Sequence, residues 1–178
     1  MITNDHGAAV AFAEKLDGPV VCKTLSSLVL SEGATPHITY TTPVQPADID
    51  PRQLATTAHL LQEWIAKAFD VRVTMVGARA LGVAIHAGSD RGRTDWRSDY
   101  AHLRYEQIEV PAGIAARMGG YLDILGLAFG AFDFVVTPDG EWIMLECNPA
   151  GQWLWLQEET GVPIAAALAD LLCEGTDS

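Results

Sequence analysis

The stretch AFDFVVTPDGEWIMLECNP, residues 131–149, consists of two hydrophobic runs joined by TPDGE, and each run carries polar groups that a core strand would not need. Asp-Gly between two such runs is a strong two-residue hairpin signal. With Asp139 and Gly140 as the loop, counting outward sets Asp133 opposite Glu146 and, by period-two alternation, puts Asn148 on the side of Glu146. The same alternation turns Ile143, Leu145 and Cys147 toward the core. A type I turn with Pro138 second and Gly140 fourth is the alternative, and it would add a bulge and slip the register by one residue. In either register the three polar groups stay neighbours. Two facing carboxylates repel unless something positive lies between them. Carboxylate and amide oxygens suit a hard divalent ion such as Mg²⁺, which takes few protein ligands when phosphates complete its octahedron. The bland alternative is a half-exposed hairpin whose polar face is simply solvated.

Composition narrows the classes around that hairpin. A chain of 178 residues, 49% hydrophobic and 19% charged, can bury a sizeable core and is not compositionally disordered. Its net charge of -12, with 11 Lys and Arg in all, excludes a phosphate-backbone binder that works by clustered cations. No positive n-region precedes an apolar run at the start and no long apolar span follows, so a cytoplasmic protein without a membrane segment is expected. Cys22, Cys147 and Cys173 are too far apart for a zinc site and odd in number for a disulfide framework, and read as reduced thiols. His6, His37, His59, His86 and His102 are scattered without metal spacing.

Along the chain, residues 5–16 show a helical period that Gly18 and Pro19 break. PVVCKTLSSLVL is a β-branched run with Lys23 inside it. A Pro-punctuated region from Ser31 to Pro51 is expected to hold one strand, HITYTTPV, before a short helix from Pro51 to about Thr57. HLLQEWI, FDVRVTMVG and ALGVAIHAG read as three strands of one antiparallel meander. Residues 89–101 read as an exposed, arginine-rich loop, LRYEQIEV as a strand, and Pro111 as the opening of a helix to Leu125. Pro163 starts a last helix ending near Gly175. Contiguous strands with few helices give an α+β fold of antiparallel sheets with flanking helices.

In combination, these motifs resemble a known family. Asp in a strand, a turn and LECNPAGQW looks like the metal-binding signature of ATP-grasp ligases. QEWIAKAFDVRVTMVG, DWR, LGLAFGAFDF and NPAGQWLW further resemble the RimK-type ATP-grasp enzymes that mature ribosomal peptides, the graspetide macrocyclases of microviridin type. The resemblance covers nearly the whole chain. It implies an ATP-grasp fold with a partial smaller lobe over residues 1–60 and a larger lobe over 61–178. It also implies ATP and Mg²⁺ as cofactors, a precursor peptide as partner and no nucleic acid or membrane, and leaves room for a homodimer.

Carried over by position, the resemblance gives the following roles. Lys23 would reach the ATP phosphates, as an ammonium among apolar neighbours needs an anion, unless it is a snorkelling edge lysine. Gln62, Glu63, Trp64 and Ile65 would form the hinge that binds the adenine edge, and Asp70 would accept from ribose hydroxyls. Arg72, which alternation places with Asp70 and Thr74, would lie near the phosphates or the acyl group, and Arg97 would be a second arginine of the catalytic cleft. Either arginine could instead be a plain ion-pair partner. Asp133, Glu146 and Asn148 would hold Mg²⁺. Trp96, Trp153 and Trp155 read as packing residues rather than stacking platforms. The implied chemistry is ligation through an acyl phosphate, which relies on positioning and electrostatics rather than on a protein nucleophile. Alternatives are a RimK-like ligase of free amino acids and a non-catalytic nucleotide- or peptide-binding module. The family's pre-ATP-grasp domain and an earlier ATP lysine have no counterpart in this sequence, so a fragment, a truncated chain or a split gene product is expected. TLSS, residues 24–27, is not a glycine-rich phosphate loop but would offer hydroxyls and backbone N–H groups.

Overall fold

The FDVRVTMV segment, β-branched at Val71, Val73, Thr74 and Val76 and free of Gly and Pro, forms the central strand of the larger sheet. In the computed structural model, which describes residues 1–16, 18–25, 29–32 and 35–174, the chain divides into two compact units, 1–65 with 90–100, and 66–89 with 101–178. Residues 61–65 and 90–100 thus group with residues 1–60 in the first unit.

The first unit holds strands β1 (Ile2–Thr3), β2 (Val20–Lys23), β5 (Thr42–Val44) and β6 (His59–Glu63) in one sheet ordered β1-β6-β2-β5, and a separate pair, β3 (Val29–Glu32) with β4 (Thr35–Ile38). Helix α1 (His6–Lys15) is capped by Asp5, whose Oδ1 accepts from the Ala8 N–H at 2.7 Å. It buries Ala9 and Ala13 against Val20, Leu61, Ile49 and Leu54, the last on the short helix α2 (Pro51–Leu54). Two expectations change here. HITYTTPV contributes to two strands rather than one, since Thr39, Tyr40 and Thr41 leave the ladder between β4 and β5. HLLQEWI does not join the meander. It becomes β6 and pairs with β1 and β2, because the chain leaves strand geometry over Trp64–Ala68 before the next strand begins.

Residues 90–100 are not an exposed loop. They form α3 (Asp90–Thr94) and a 3₁₀ turn at Trp96–Ser98, with Trp96, Asp95 and Asp99 buried. The polar composition misled because its aspartates fold inward onto arginines of the same segment.

The second unit is a five-stranded antiparallel sheet ordered β11-β10-β7-β8-β9, made of β7 (Phe69–Val76), β8 (Arg79–Ala87), β9 (Leu103–Ile108), β10 (Phe129–Val136) and β11 (Trp142–Asn148). One face packs Val71, Val73, Met75, Phe132, Phe134 and Val136 against Met118 and Leu122 of helix α4 (Ala112–Leu125). Gly126 ends that helix in the left-handed conformation, φ 64°, which a side chain would resist. Part of the other face is covered by α5 (Leu154–Thr160), absent from the sequence reading, and α6 (Ile164–Glu174), through Val83, Leu156, Val162, Ile164 and Ala167. The same face also carries Asp70, Arg72, Thr74 and Asp133, set among apolar neighbours.

Candidate functional site: a charged row on the second sheet

The turn at TPDGE sets the register of the polar face. The Gly140 N–H donates to the Thr137 carbonyl at 2.9 Å and Gly140 has φ 89°, which is the type I turn followed by a left-handed glycine rather than the two-residue loop. Val136 therefore pairs with Trp142 and Phe134 with Met144, one residue off the simple count. A second irregularity between Asp133 and Phe134 restores it: Leu145 is bulged out, and Asp133 faces Glu146 after all. The two shifts cancel at the site. They also reverse the parity of β11 between its ends, so that Trp142 near the turn and Cys147 beyond the bulge both pack on the α4 side. Leu145, expected in the core, is 39% exposed for the same reason.

Three parallel rows cross the polar face. Asp70 lies between Ile85 and Val135, Arg72 between Val83 and Asp133, and Thr74 between Leu81 and Ala131, while Glu146 and Asn148 extend the second and third rows on β11. Arg72 grips Asp133 with a fork: Nε donates to Oδ1 at 2.7 Å and Nη2 to Oδ2 at 2.6 Å. Its Nη1 donates to the Gln152 carbonyl at 3.4 Å. Asn148 Oδ1 accepts from the Ala150 N–H at 2.9 Å, and the Gly151 N–H donates to the Asn148 carbonyl at 3.2 Å, so NPAG closes into a turn. Gly151 is buried there, and a Cβ would collide with that of Ala131, which is why the turn can lie against the sheet only with glycine at that position. Thr74 is fully buried and its hydroxyl has no hydrogen-bond partner among the described residues.

The donor set suits a hard divalent cation. Asp133 and Glu146 are direct cross-strand partners and Asn148 is on the same face, so carboxylate and amide oxygens share one side of the sheet. Among the described residues there is no group of three His, Cys, Asp or Glu set to hold a metal, so any cation here depends on the amide oxygen as third donor.

Asp70 is differently placed from a surface ribose acceptor. It is 5% exposed, and Lys67 donates to its Oδ1 at 2.7 Å in a pair with side chains 9% and 7% exposed. Lys67 was not singled out by the sequence reading, although an i,i+3 lysine-acid spacing just after the hinge was there to be read. The remaining expected residues lie in the first unit. Alternation along β2 turns Val20 and Cys22 to the α1 core and Val21 and Lys23 to the opposite face, beside Gln62 and Leu60 of β6. Glu63 ends β6, the Trp64 N–H donates to the Pro19 carbonyl at 2.8 Å, and Ile65 is the last residue of that segment. The Trp64 N–H is thus engaged within the protein. Ser26 and Ser27 of TLSS lie outside the described residues.

Arg97 is held by Asp95: Nε donates to Oδ1 at 2.9 Å and Nη2 to Oδ2 at 2.8 Å. The Thr41 N–H donates to the same Oδ2 at 3.0 Å. Burial pushes the Asp95 carboxyl up, but the Arg97 fork and charge, with the N–H groups of Thr41 and Arg97, outweigh it and hold the pKa at about 2. Asp99, also buried, accepts from Arg91 at 2.9 Å. Both aspartates were missed as organisers, because only the fold shows that they point inward.

No protein-family model and no curated protein sequence matches the chain significantly. Among solved structures, the fold matches a RiPP-associated ATP-grasp ligase from Chryseobacterium gregarium with a TM-score of 0.90 and 28% identity, over 98% of this chain and 54% of that one. It matches the macrocyclase MdnC from Microcystis aeruginosa with a TM-score of 0.82 and 29% identity, over 98% of this chain and 56% of that one. The ATP-grasp ligase PsnB matches with a TM-score of 0.78 and 21% identity, over 99% of this chain and 52% of that one. The chain therefore has the ATP-grasp fold seen in these RiPP-associated ligases, and it spans about half of their length.

Proposed function

We propose that the chain is the ATP-grasp portion of a cytoplasmic ligase that uses ATP and Mg²⁺ to activate a carboxylate as an acyl phosphate and passes it to an amine or alcohol, with a ribosomally made precursor peptide as substrate. The observation that carries this reading is the meeting of Asp133, Glu146 and Asn148 on one sheet face beside Arg72, at the end of a hairpin whose two register shifts cancel there. The solved neighbours support it: the Chryseobacterium ligase was crystallised with ADP and a leader and core peptide, MdnC with the precursor peptide MdnA, and PsnB with Mg and ADP.

In this reading Asp133, Glu146 and Asn148 hold Mg²⁺, which when bound offsets negative charge on phosphate oxygens. Lys23 supplies a cation to the phosphates from its strand, away from the α1 core. The backbone of Gln62, Glu63 and Ile65 offers the adenine-binding edge, with the Trp64 N–H excluded because Pro19 holds it. Asp70 serves the nucleotide through the sheet it stabilises with Lys67 rather than as an open acceptor. Arg72 and Arg97 are fixed guanidinium groups, each already oriented by an aspartate, that can meet charge building on a transferring phosphoryl group. With the groups preset, the residues contribute orientation and charge rather than a covalent step.

The test is direct. Mg²⁺ with ATP should raise the melting temperature, and the variant Glu146→Ala/Asn148→Ala should lose the rise; a native protein whose melting is unmoved by Mg²⁺ and ATP would refute the site. Supplied with its precursor peptide and ATP, the full-length ligase should give products lighter by one water per ring, and intact peptide would refute cross-linking. A product carrying an added free amino acid would instead identify a RimK-like ligase.

A further inference from the structure

The Asp133 carboxylate has two claimants. Arg72 engages both of its oxygens, at 2.7 and 2.6 Å, with side chains only 12% and 15% exposed, and its third nitrogen reaches the Gln152 carbonyl at 3.4 Å. Glu146 faces that same carboxylate across the β10–β11 ladder, with Asn148 on its side, so a cation shared by the three must coordinate the group that Arg72 grips. A parallel fork occupies the lone pairs that point along the side chain. Those pairs are also the ones a cation in front of the carboxylate would use. A guanidinium and a divalent ion on one carboxylate would also place like charges a few ångströms apart where water screens poorly.

We propose that Arg72 and a divalent cation are alternative partners of Asp133, so that cation binding at Asp133, Glu146 and Asn148 displaces the guanidinium and Arg72 sets the threshold a cation must exceed. The proposal rests on the reading of the trio as a cation site. It adds a direction to that reading: the displaced arginine becomes available to an anion, so cation and anion bind better together than either does alone. It also distinguishes Arg72 from Arg97, whose aspartate caps a 3₁₀ turn instead of pairing across a strand ladder.

The experiment is a Mn²⁺ titration followed by the loss of the free-ion electron paramagnetic resonance signal, on the native chain, Arg72→Gln, Arg72→Lys and Asp133→Asn. Competition predicts that Arg72→Gln binds Mn²⁺ at least about tenfold tighter than native, equivalent to about 1.4 kcal/mol, that Arg72→Lys lies between them, and that Asp133→Asn is the weakest. Equal or weaker binding by Arg72→Gln, with Asp133→Asn still impaired, would leave the cation site standing and overturn the competition, making Arg72 a residue that merely orients Asp133. Unchanged affinity in Asp133→Asn would bring down the cation site itself and the proposal with it. Should circular dichroism show Arg72→Gln unfolded, Arg72→Lys decides: a lysine cannot make the fork, so tighter binding than native supports the exchange and equal or weaker binding overturns it.

Discussion

Replacing Asp95 by Asn removes the charge on which residues 90–100 converge. The carboxylate accepts two N–H bonds from the Arg97 guanidinium, one from the Thr41 backbone and one from the Arg97 backbone, the last at 3.2 Å. Desolvation alone would raise its pKa, yet these partners bring it from 3.8 to about 2. Because the folded value lies below the unfolded one, the ionised form is favoured by folding. Its contribution is complete above about pH 4 and disappears as pH falls through about 2. At about 1.4 kcal/mol per pKa unit, the shift corresponds to about 2 kcal/mol. Asp95→Asn keeps an oxygen for Thr41 but loses the ionic fork, so at pH 7 it should be less stable by about that amount. Urea denaturation followed by circular dichroism at pH 7, 4, 3 and 2.5 measures both halves of the claim. The gap between native and variant should be widest at pH 7 and narrow steadily below pH 4. A variant as stable as native at pH 7, or a gap that does not change with pH, would refute the reasoning.

The buried pair Lys67–Asp70 makes a second prediction: Lys67→Met or Asp70→Leu alone should destabilise by about 3 kcal/mol, and the two together should recover most of it, as read from urea midpoints. An additive double variant would show that the two charges do not interact. A third contrasts two hydrophobic residues of the hairpin. Phe132→Ala, at 0% exposure, should cost about 3 to 5 kcal/mol, whereas Leu145→Ala, bulged outward at 39%, should cost under about 1 kcal/mol. Comparable losses in thermal melts of the two variants would contradict the bulge.

What could be read in the sequence was what depends on short-range chemistry. Alternation in DVRVTMV located Asp70, Arg72 and Thr74 on one face, Pro111 marked the start of α4 and Leu125 its end, and the facing of Asp133 and Glu146 emerged from a count along the chain. The count reached the right pair for an incomplete reason, since it assumed one turn and no bulge where the chain has a slipped turn and a bulge that compensates. What could not be read was pairing decided at a distance. HLLQEWI has the pattern of a meander strand, and only its ladder with VVCK reveals another sheet. Local composition makes DRGRTDWRSD look solvated, because inward-turned aspartates matched by arginines have the same composition as a surface loop. Lys67, lying between hinge and strand, belongs to no periodic run, and only its i,i+3 spacing to Asp70 marks it.

The paired irregularities of the β10–β11 hairpin have a practical consequence. Since the bulge at Leu145 lies between the turn and the polar row, it works as a slip joint: the tip can change length or sequence without dragging Glu146 and Asn148 out of line, provided the bulge takes up the difference. Residues 138–141 are therefore the place to graft a fluorophore or a short reporter peptide that reports on the row without disturbing it, whereas the same graft three residues beyond Leu145 would fall on Asn148 itself.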